Sequence, residues 1–507
     1  MHLRHFRRAV AALTAGVVAA CSGNSDITAP ITPTTPTTPT TPTGGDTTAP
    51  TIRREMRGVW IATVANIDWP SRTGLNAPQQ QAELIDLLDR AQAAGLNAVM
   101  FHIRPAADAV YRSSIEPWAA LLQGAQGVDP GYDPLEFAIL AAHARGLELH
   151  GWINPFRAGN SKDTALLSPL HLFKTRRDLT RVYGTQLWLD PGEPAIHDHV
   201  MEVVSDIARR YEIDGIHADD YFYPYQENDA NGKLIDFPDS GSYARSGSTL
   251  SRADWRRNNV DRFIERMYRE VHVIKPNIKV GISPFGIWRP GFPAGVSGLD
   301  AYATIYADSR KWLQQGWVDY LAPQLYWSIA ATQQSYPALL DWWISQSTLG
   351  RPVWPGLATY RVGDGSPSAY SSGEIPNQIA ATRSRAAGSG YLLYNANTTL
   401  KKANGVAAAL ATLHAEPALV PAATWLDATP PPTPAVSVSA RVVSMSPGSG
   451  EITRWWVIRS RSSGAWTTRI LFGDARSFTL ASTAERVLLN AVDQAGNLSV
   501  AAEWKTP

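Results

Sequence analysis

A single cysteine, Cys21, stands in the 507 residues, which excludes an internal disulfide framework and any thiolate metal cluster. Neither sign of charge prevails: 46 Lys and Arg against 45 Asp and Glu leave a formal +1, too weak a field to gather nucleic acid phosphates. No glycine-rich phosphate loop follows a strand-like run, and the His-Glu-x-x-His zinc motif does not occur. The N-terminal apolar run AVAALTAGVVAA is too short to span a bilayer. What is present is ample material for a core, 44% hydrophobic against 18% charged residues, so most of the chain folds. The 18 Trp and 18 Tyr belong mostly to that core, but flat rings with a polar edge also suit sugar recognition.

The N-terminus explains Cys21. Arg4, Arg7 and Arg8 form a basic region, the apolar run follows, and Ala19 and Ala20 directly precede the cysteine, the order of an export signal. The small residues before Cys21 resemble a bacterial lipobox, so residues 1–21 are expected to be a signal ending at a lipidated Cys21. Membrane attachment through that lipid, on the outer membrane or cell surface, is the expected location; ordinary secretion with cleavage near Ala20 is the alternative. Residues 22–52 contain the Thr/Pro repeat APITPTTPTTPTTPTGGDTTAP, an extended tether with nothing apolar to bury. A second break, ATPPPTP at 428–434, can continue neither a helix nor a central strand. The expected folded parts are therefore 53–427 and 435–507.

In the first part eight strand-like runs alternate with helical segments: RGVWIATV (57–64), LNAVMFHIRP (96–105), LELHGWINP (147–155), IDGIHADDY (213–221), IKVGISPF (278–285), VDYLAPQLYW (318–327), PVWPGLAT (352–359) and GYLLYNAN (390–397). This is the pattern of parallel β/α units, and eight of them over about 350 residues fit an α/β fold of the (β/α)8 TIM-like barrel type. A doubly wound open sheet is the other arrangement that such alternation allows.

A barrel carries its chemistry at the C-terminal ends of its strands, and polar and aromatic residues crowd those ends. They include His102, Arg104, His150, Asn154, Arg157, His217, Asp219, Asp220, Gln324, Tyr326, Trp327, Asn395 and Asn397. Along the fourth strand Ile216 and Ala218 are expected to face the helices, so His217 and Asp219 share the inward face. Asp219 at the mouth, with Asp220 beside it, is the candidate catalytic carboxylate; a salt bridge or helix cap is the structural alternative for each. Glycoside hydrolysis generally needs a second carboxyl group. The fifth strand ends Ser283-Pro284-Phe285-Gly286 and the sixth Gln324-Leu325-Tyr326-Trp327, neither with a carboxylate, which leaves Asp220, Asp108, Asp308 and Asp68 as candidates. Adjacent aspartates alone supply too few oxygens for a hard cation, so no metal and no other cofactor is expected. Trp69, Tyr223, Tyr326 and Trp327 are candidate sugar-stacking residues.

The segments REMRGVWIATVANIDWPS (54–71), FHIRPAADAVYRSSIEPW (101–118), GWINPFR (151–157), DGIHADDYFYPY (214–225), ISPFGIWR (282–289) and YADSRKWLQQGWVDYLAPQLYW (306–327) resemble glycosyl hydrolase-like family ten, in order, over about 53–420. The resemblance implies a TIM-like barrel, often on an exported lipoprotein, that hydrolyses carbohydrate. For one member acting at the division site the implied substrate is peptidoglycan glycan stripped of its stem peptides. By motif position Asp219, Asp220 and Asp108, the candidate catalytic carboxyls, match the family's polar positions around the mouth, as do Arg104, Asn154, Arg157, Tyr223, Gln324 and Tyr326. His150, His217 and Trp327 join the substrate-binding set from their placement on the strands. The fourth strand is also similar to the nucleophile strand of the α-amylase clan, with His217 where that clan has arginine.

Residues 435–507 alternate as AVSVSARVVSM, TRWWVIRS and ERVLLNAVDQAGNLS between turns, the pattern of a small all-β sandwich, and resemble a fibronectin type III domain. Adjacent Trp455 and Trp456 are expected to have one ring buried and the other free to dock on the barrel or bind sugar. The expected function is a surface-tethered glycosidase acting on a polysaccharide, peptidoglycan glycan foremost. An α-glucan or other extracellular polysaccharide, and a non-catalytic glycan-binding or envelope-organising protein, are the alternatives. The sequence specifies no protein partner.

Overall fold

Eight parallel strands form one sheet: β1 (Met56–Ile61), β2 (Ala98–Arg104), β3 (Glu148–Ile153), β4 (Gly215–Ala218), β5 (Lys279–Ile282), β6 (Tyr320–Leu321), β7 (Gly356–Ala358) and β8 (Gly390–Tyr394). Pairing runs β6-β5-β4-β3-β2-β1-β8-β7, and parallel bridges Leu321↔Val353 and Gln324↔Gly356 join the two ends. Trp354 N donates to Leu321 O at 2.9 Å and Gly356 N to Pro323 O at 2.8 Å across that seam. The sheet is therefore a closed barrel, which excludes the open doubly wound arrangement. The computed structural model describes residues 48–506 apart from 449 and 451. The signal, Cys21 and most of the tether lie outside the described residues.

One principal helix follows each strand: α1 (Ala77–Ala93), α2 (Pro134–His143), α3 (Pro194–Arg210), α4 (Arg252–Ile274), α5 (Ser309–Gln314), α6 (Tyr336–Gln346), α7 (Glu374–Arg383) and α8 (Val406–Leu413). Local chemistry sets their starts. Asn76 and Gln79 form a reciprocal capping box on α1, and Asp133 caps α2 ahead of Pro134, satisfying amides that have no partner within the helix. Residues on both faces of β1, β2, β3 and β4 are buried, as a parallel sheet requires when helices cover one face and the barrel interior the other. Val59, Phe101, Leu149, Ile216 and Ala218 belong to the outer layer packed on helices. Met56, Trp60, Met100, Trp152, Tyr320, Trp354 and Leu392 fill the interior. The alternation read along the fourth strand is thus the one observed.

After the barrel come β9 (Ala435–Ser439), β10 (Val442–Ser446), β11 (Trp455–Ser462), β12 (Ala465–Phe472), β13 (Ser477–Thr479), β14 (Arg486–Val492) and β15 (Ala502–Lys505). They make two antiparallel sheets, β9-β10-β13 and β12-β11-β14-β15, the three-plus-four arrangement of a fibronectin type III-like sandwich. One ring is buried between the sheets and the other docks on the barrel, the first of the two outcomes expected for it. Trp456 lies between the sheets, and Trp455 on the outer face packs with Leu419, Val492 and Phe472 and meets His143 of α2 edge-on at 6.0 Å. Both faces of β11 are covered over Trp455–Ile458, one by the partner sheet and the other by the barrel. His143 and Asp214 lie just before β3 and β4, so the sandwich docks on the N-terminal end of the barrel, opposite the mouth.

Candidate active site

The floor of the site is a directed hydrogen-bond chain inside the barrel. Trp60 Nε1 donates to His217 Nε2 at 3.1 Å. An indole N–H only donates, so that imidazole nitrogen carries its lone pair, and it also accepts from Ser283 Oγ at 3.0 Å. His217 Nδ1–H then donates to the Tyr320 hydroxyl at 3.0 Å, Tyr320 donates to His150 Nδ1 at 2.9 Å, and His150 Nε2–H donates to Glu148 at 3.1 Å. Lys279 Nζ holds the same carboxylate at 3.1 Å. Burial, then the neighbouring His150 and His102, lowers the His217 pKa well below the imidazole range, which keeps the ring neutral. Glycine makes room for this chain. A Cβ at Gly281 would lie 1.9 Å from Tyr320 Cζ, and one at Gly215 2.3 Å from His150 Nδ1. Gly281→Ala is expected to lower stability by about 1–3 kcal/mol through overpacking, read as a fall in the urea midpoint; an unchanged midpoint would mean the Tyr320 ring has room to move.

This floor corrects two expected substrate contacts. His150 and His217 are fully buried with both ring nitrogens engaged, so they support the site from below. Arg104 is corrected likewise. Its guanidinium forks onto Glu116 at 2.8 and 2.6 Å and donates to the carbonyls of Asn154 and Pro155 at 2.5 and 3.0 Å, so it holds the loop after β3 instead of substrate. Asp108, expected as a catalytic carboxyl, accepts from Ala106 N at 3.0 Å and Gln126 Nε2 at 3.1 Å. Burial lifts it to about 6 against the Gln126 bond, but no hydrogen bond among the described residues joins it to Asp219 or Asp220; it ties its own loop.

Asp219 sits one residue past β4 and turns into the mouth. Its Oδ2 accepts from Trp152 Nε1 at 3.1 Å and Asn154 Nδ2 at 2.5 Å, and its Oδ1 from Tyr221 N at 3.1 Å. Because Asn154 gives its amide hydrogens to the carboxylate, its oxygen must face donors, and it does: His102 Nε2 at 2.8 Å and Arg157 Nη1 at 3.4 Å. Asp220 instead accepts from the Tyr225 hydroxyl and from the Gln324 side chain. Burial raises both carboxyls. For Asp219 the Arg157 charge and the three donors oppose the rise. For Asp220 the Asp219 charge adds to burial and carries it to about 7. Two adjacent carboxyls cannot both ionise cheaply, and Asp219, with more donors and a nearby cation, is the one that carries the charge. Asp220 then holds a proton near neutral pH, the state of a general acid.

Half-exposed aromatic rings surround the pair. Arg157 lies 3.9 Å from the Tyr221 ring centre. Tyr225 meets Tyr221 at 5.3 Å and Phe285 at 6.3 Å, Phe285 meets Trp327 at 5.7 Å, and Tyr326 stacks on Tyr394 at 5.9 Å. Gln324, Tyr326, Trp327, Asn154 and Arg157 are thus brought toward Asp219 and Asp220. Tyr223 is not: it is buried among Phe237 and Tyr306 at 5.2 and 5.1 Å, which corrects its expected contact with substrate. The strand ends at Ala218 and the chain bends at Phe222 and Tyr223, so the alternation no longer holds: Tyr221 and Tyr225 face the pair while Tyr223 turns to the outer layer. Trp69 is also buried, its Nε1 bonded to Gln80 O at 2.8 Å. Asp308 caps α5 and accepts from Trp288. Asp68 accepts the amides of Ala62 and Asn397, both at 2.8 Å, and so ties the loop after β1 to the loop after β8. Among the described residues no group of three His, Cys, Asp or Glu side chains could hold a metal ion. Asn154→Ala removes a donor from the charged carboxyl and is expected to lower turnover by roughly 10²-fold with an unchanged circular dichroism spectrum; full turnover would deny Asn154 any part in the reaction.

A barrel with an acid and a charged carboxylate at its mouth, ringed by half-exposed aromatics, defines a glycosidase, a hydrolase that acts on glycans. The chain belongs to the glycosyl hydrolase-like 10 family, which it matches over residues 55–370. Over 393 residues it is 41% identical to glycosyl hydrolase YngK of Bacillus subtilis (strain 168), covering 75% of this chain and 76% of that one. Over 347 residues it is 37% identical to glycosyl hydrolase DigH of Escherichia coli (strain K12), covering 63% and 77%. Among solved structures, the glycoside hydrolase domain of PgaB (BpsB) from Bordetella bronchiseptica is 15% identical, with a TM-score of 0.46 over 71% of this chain and 98% of that one.

Proposed function

We propose that this glycosidase cleaves peptidoglycan glycan strands, above all strands stripped of stem peptides, from a lipid anchor on Cys21 at the outer membrane or cell surface. Asp220 serves as acid and Asp219 as the charged carboxylate facing the anomeric carbon. Asn154, Arg157, Gln324, Tyr326 and Trp327 contact or orient the sugar. The observation that carries this reading is the Asp219/Asp220 pair, one member supplied with three hydrogen-bond donors and the other raised to about 7. The family resemblance supports the choice of glycan, and the basic, apolar and small-residue order before Cys21 supports the anchor.

Release of reducing ends from purified glycan strands, with and without prior removal of stem peptides by an amidase, tests the substrate. Faster release from the peptide-free strands is expected. Equal release from both removes the preference, release from an α-glucan alone moves the substrate elsewhere, and no release at any enzyme concentration leaves only a glycan-binding protein. For the anchor, Cys21→Ser is expected to move the protein from the membrane to the soluble fraction and to abolish labelling by radioactive palmitate. Continued labelling would rule out attachment at Cys21.

A further inference from the structure

The two carboxyls at the mouth stand side by side on one strand end, and this restricts the chemistry. In the common two-carboxylate mechanisms the acid and the nucleophile or base act from opposite sides of the anomeric centre. Asp219 and Asp220 are consecutive, and the charge of one acts on the other. Five other carboxylates on the loops and helices after the strands have partners of their own. Asp68 accepts backbone amides, Asp108 pairs with Gln126 and Ala106, and Glu116 with Arg104. Asp308 caps a helix, and Glu374 accepts from Ile329 N at 2.7 Å and Gln378 Nε2 at 2.8 Å. The strands after β4 end in Ser283, Gln324, Ala358 and Tyr394, with no carboxylate. One acid and one adjacent anion stand together at the mouth, and the strand ends that follow place no carboxylate across from them.

We propose that the nucleophile is the substrate's own 2-acetamido group, so that the glycan must carry a 2-acetamido-2-deoxy sugar at the cleaved bond and the anomeric configuration is retained. Asp220 gives its proton to the glycosidic oxygen, the C1–O bond breaks, and the leaving sugar departs as an alcohol. The acetamido carbonyl oxygen forms the new bond to C1, giving a cyclic oxazolinium, while the Asp219 carboxylate accepts a hydrogen bond from the acetamido N–H and balances the positive charge. Water then attacks C1 from the vacated side, the bond from C1 to the acetamido oxygen breaks, and the water's proton passes to Asp220. The protein returns to its starting protonation state. Two features fit this assignment. Trp152 and Asn154 leave Asp219 fixed against rotation, as an orienting group must be. The half-exposed Tyr326, within electrostatic reach of both carboxylates, has no hydrogen-bonding partner among the described residues and is free to donate to the acetamido carbonyl.

The inference rests on the glycosidase reading above, and the experiment separates the two. The full chain is given purified glycan strands in one arm and, in the other, the same strands with N-acetyl replaced by N-trifluoroacetyl, whose carbonyl is a far poorer nucleophile. The anomeric configuration of the first product is read by proton nuclear magnetic resonance. A rate at least tenfold lower on the trifluoroacetylated strands, with retention on the acetylated ones, is expected. A smaller change in rate, or inversion, overturns the inference while leaving the glycosidase reading in place. Absence of any reducing-end release from acetylated strands overturns the glycosidase reading and the inference with it.

Discussion

Asp220→Asn is expected to lower turnover on glycan strands by about 10²–10⁴-fold, the usual contribution of a positioned acid, and Asp219→Asn by a comparable factor through loss of the facing charge. Unchanged turnover in either variant, with binding intact, would remove that residue from the chemistry. The pH profile distinguishes their roles. With Asp219 proposed as the anion and Asp220 as the acid, turnover is expected to fall as pH rises through about 7, where Asp220 loses its proton, and to fall again in acid as Asp219 is protonated. A wild-type profile with no alkaline fall would remove Asp220 as the acid.

The same residue predicts an opposite effect on stability. Asp220 binds its proton more tightly folded than unfolded, with a folded pKa of about 7 against about 3.9 for a free aspartate. The folded state therefore loses stability as pH rises from about 4 to about 7. Asparagine carries no such penalty. At pH 8 Asp220→Asn is expected to be more stable than wild type by up to about 4 kcal/mol, seen as a higher Tm, with the difference closing near pH 4. An equal Tm at pH 8 would mean the carboxyl is not buried as a strained pair. Activity and stability are in opposition at this position because the catalytic function requires a carboxyl where burial disfavours its charge.

The second large effect is expected far from the mouth. Arg454, just before β11, donates through Nε to Asp214 Oδ1 at 2.9 Å, and its Nη2 reaches the same carboxylate and His143. Asp214 also accepts from Leu149 N at 2.8 Å, at the start of two barrel strands. Burial alone would raise this carboxyl, but the charge of Arg454 and the contacts of His143 hold it well below its usual value. Arg454→Ala leaves a buried anion without its main partner, and breaking such a pair costs about 3–5 kcal/mol. A urea titration is expected to show an earlier midpoint and a sandwich transition separated from that of the barrel; coincidence with wild type would reduce the pair to a minor contact. Since the folded pKa is depressed, its contribution is present above about pH 4 and is lost as pH falls, so the gap between variant and wild type narrows in acid. Asp214→Asn combined with Arg454→Met removes both charges and is expected to recover part of the loss.

Some of this was legible residue by residue. The eight apolar runs and the phase of Ile216, His217, Ala218 and Asp219 depend on local periodicity, which a sequence displays directly. So do the sandwich pattern of 435–507 and the placement of Asp219 and Asp220 at a strand end. The partners of those residues were another matter. Arg104 and His150 stand at polar positions on barrel strands, yet their contacts come from Glu116 and from Tyr320, 170 residues beyond His150. Nothing local separates Tyr221, Tyr225, Phe285 and Tyr394, whose rings surround the pair, from Tyr223 and Trp69, which are buried, because Tyr221, Tyr223 and Tyr225 lie past the end of β4, where period two no longer applies.

The amino-acid order by itself determined the repeating units, the two folded parts and the aspartate pair, since each depends on neighbours within a few positions. Only the tertiary structure decided that the sheet closes, that both Trp455 and Trp456 are covered, and that the polar residues divide into a buried supporting chain and an accessible aromatic rim. Closure and burial depend on which distant segments share a surface, and a side chain's hydrogen-bond partner, pKa and access to substrate follow from that surface rather than from the residue type.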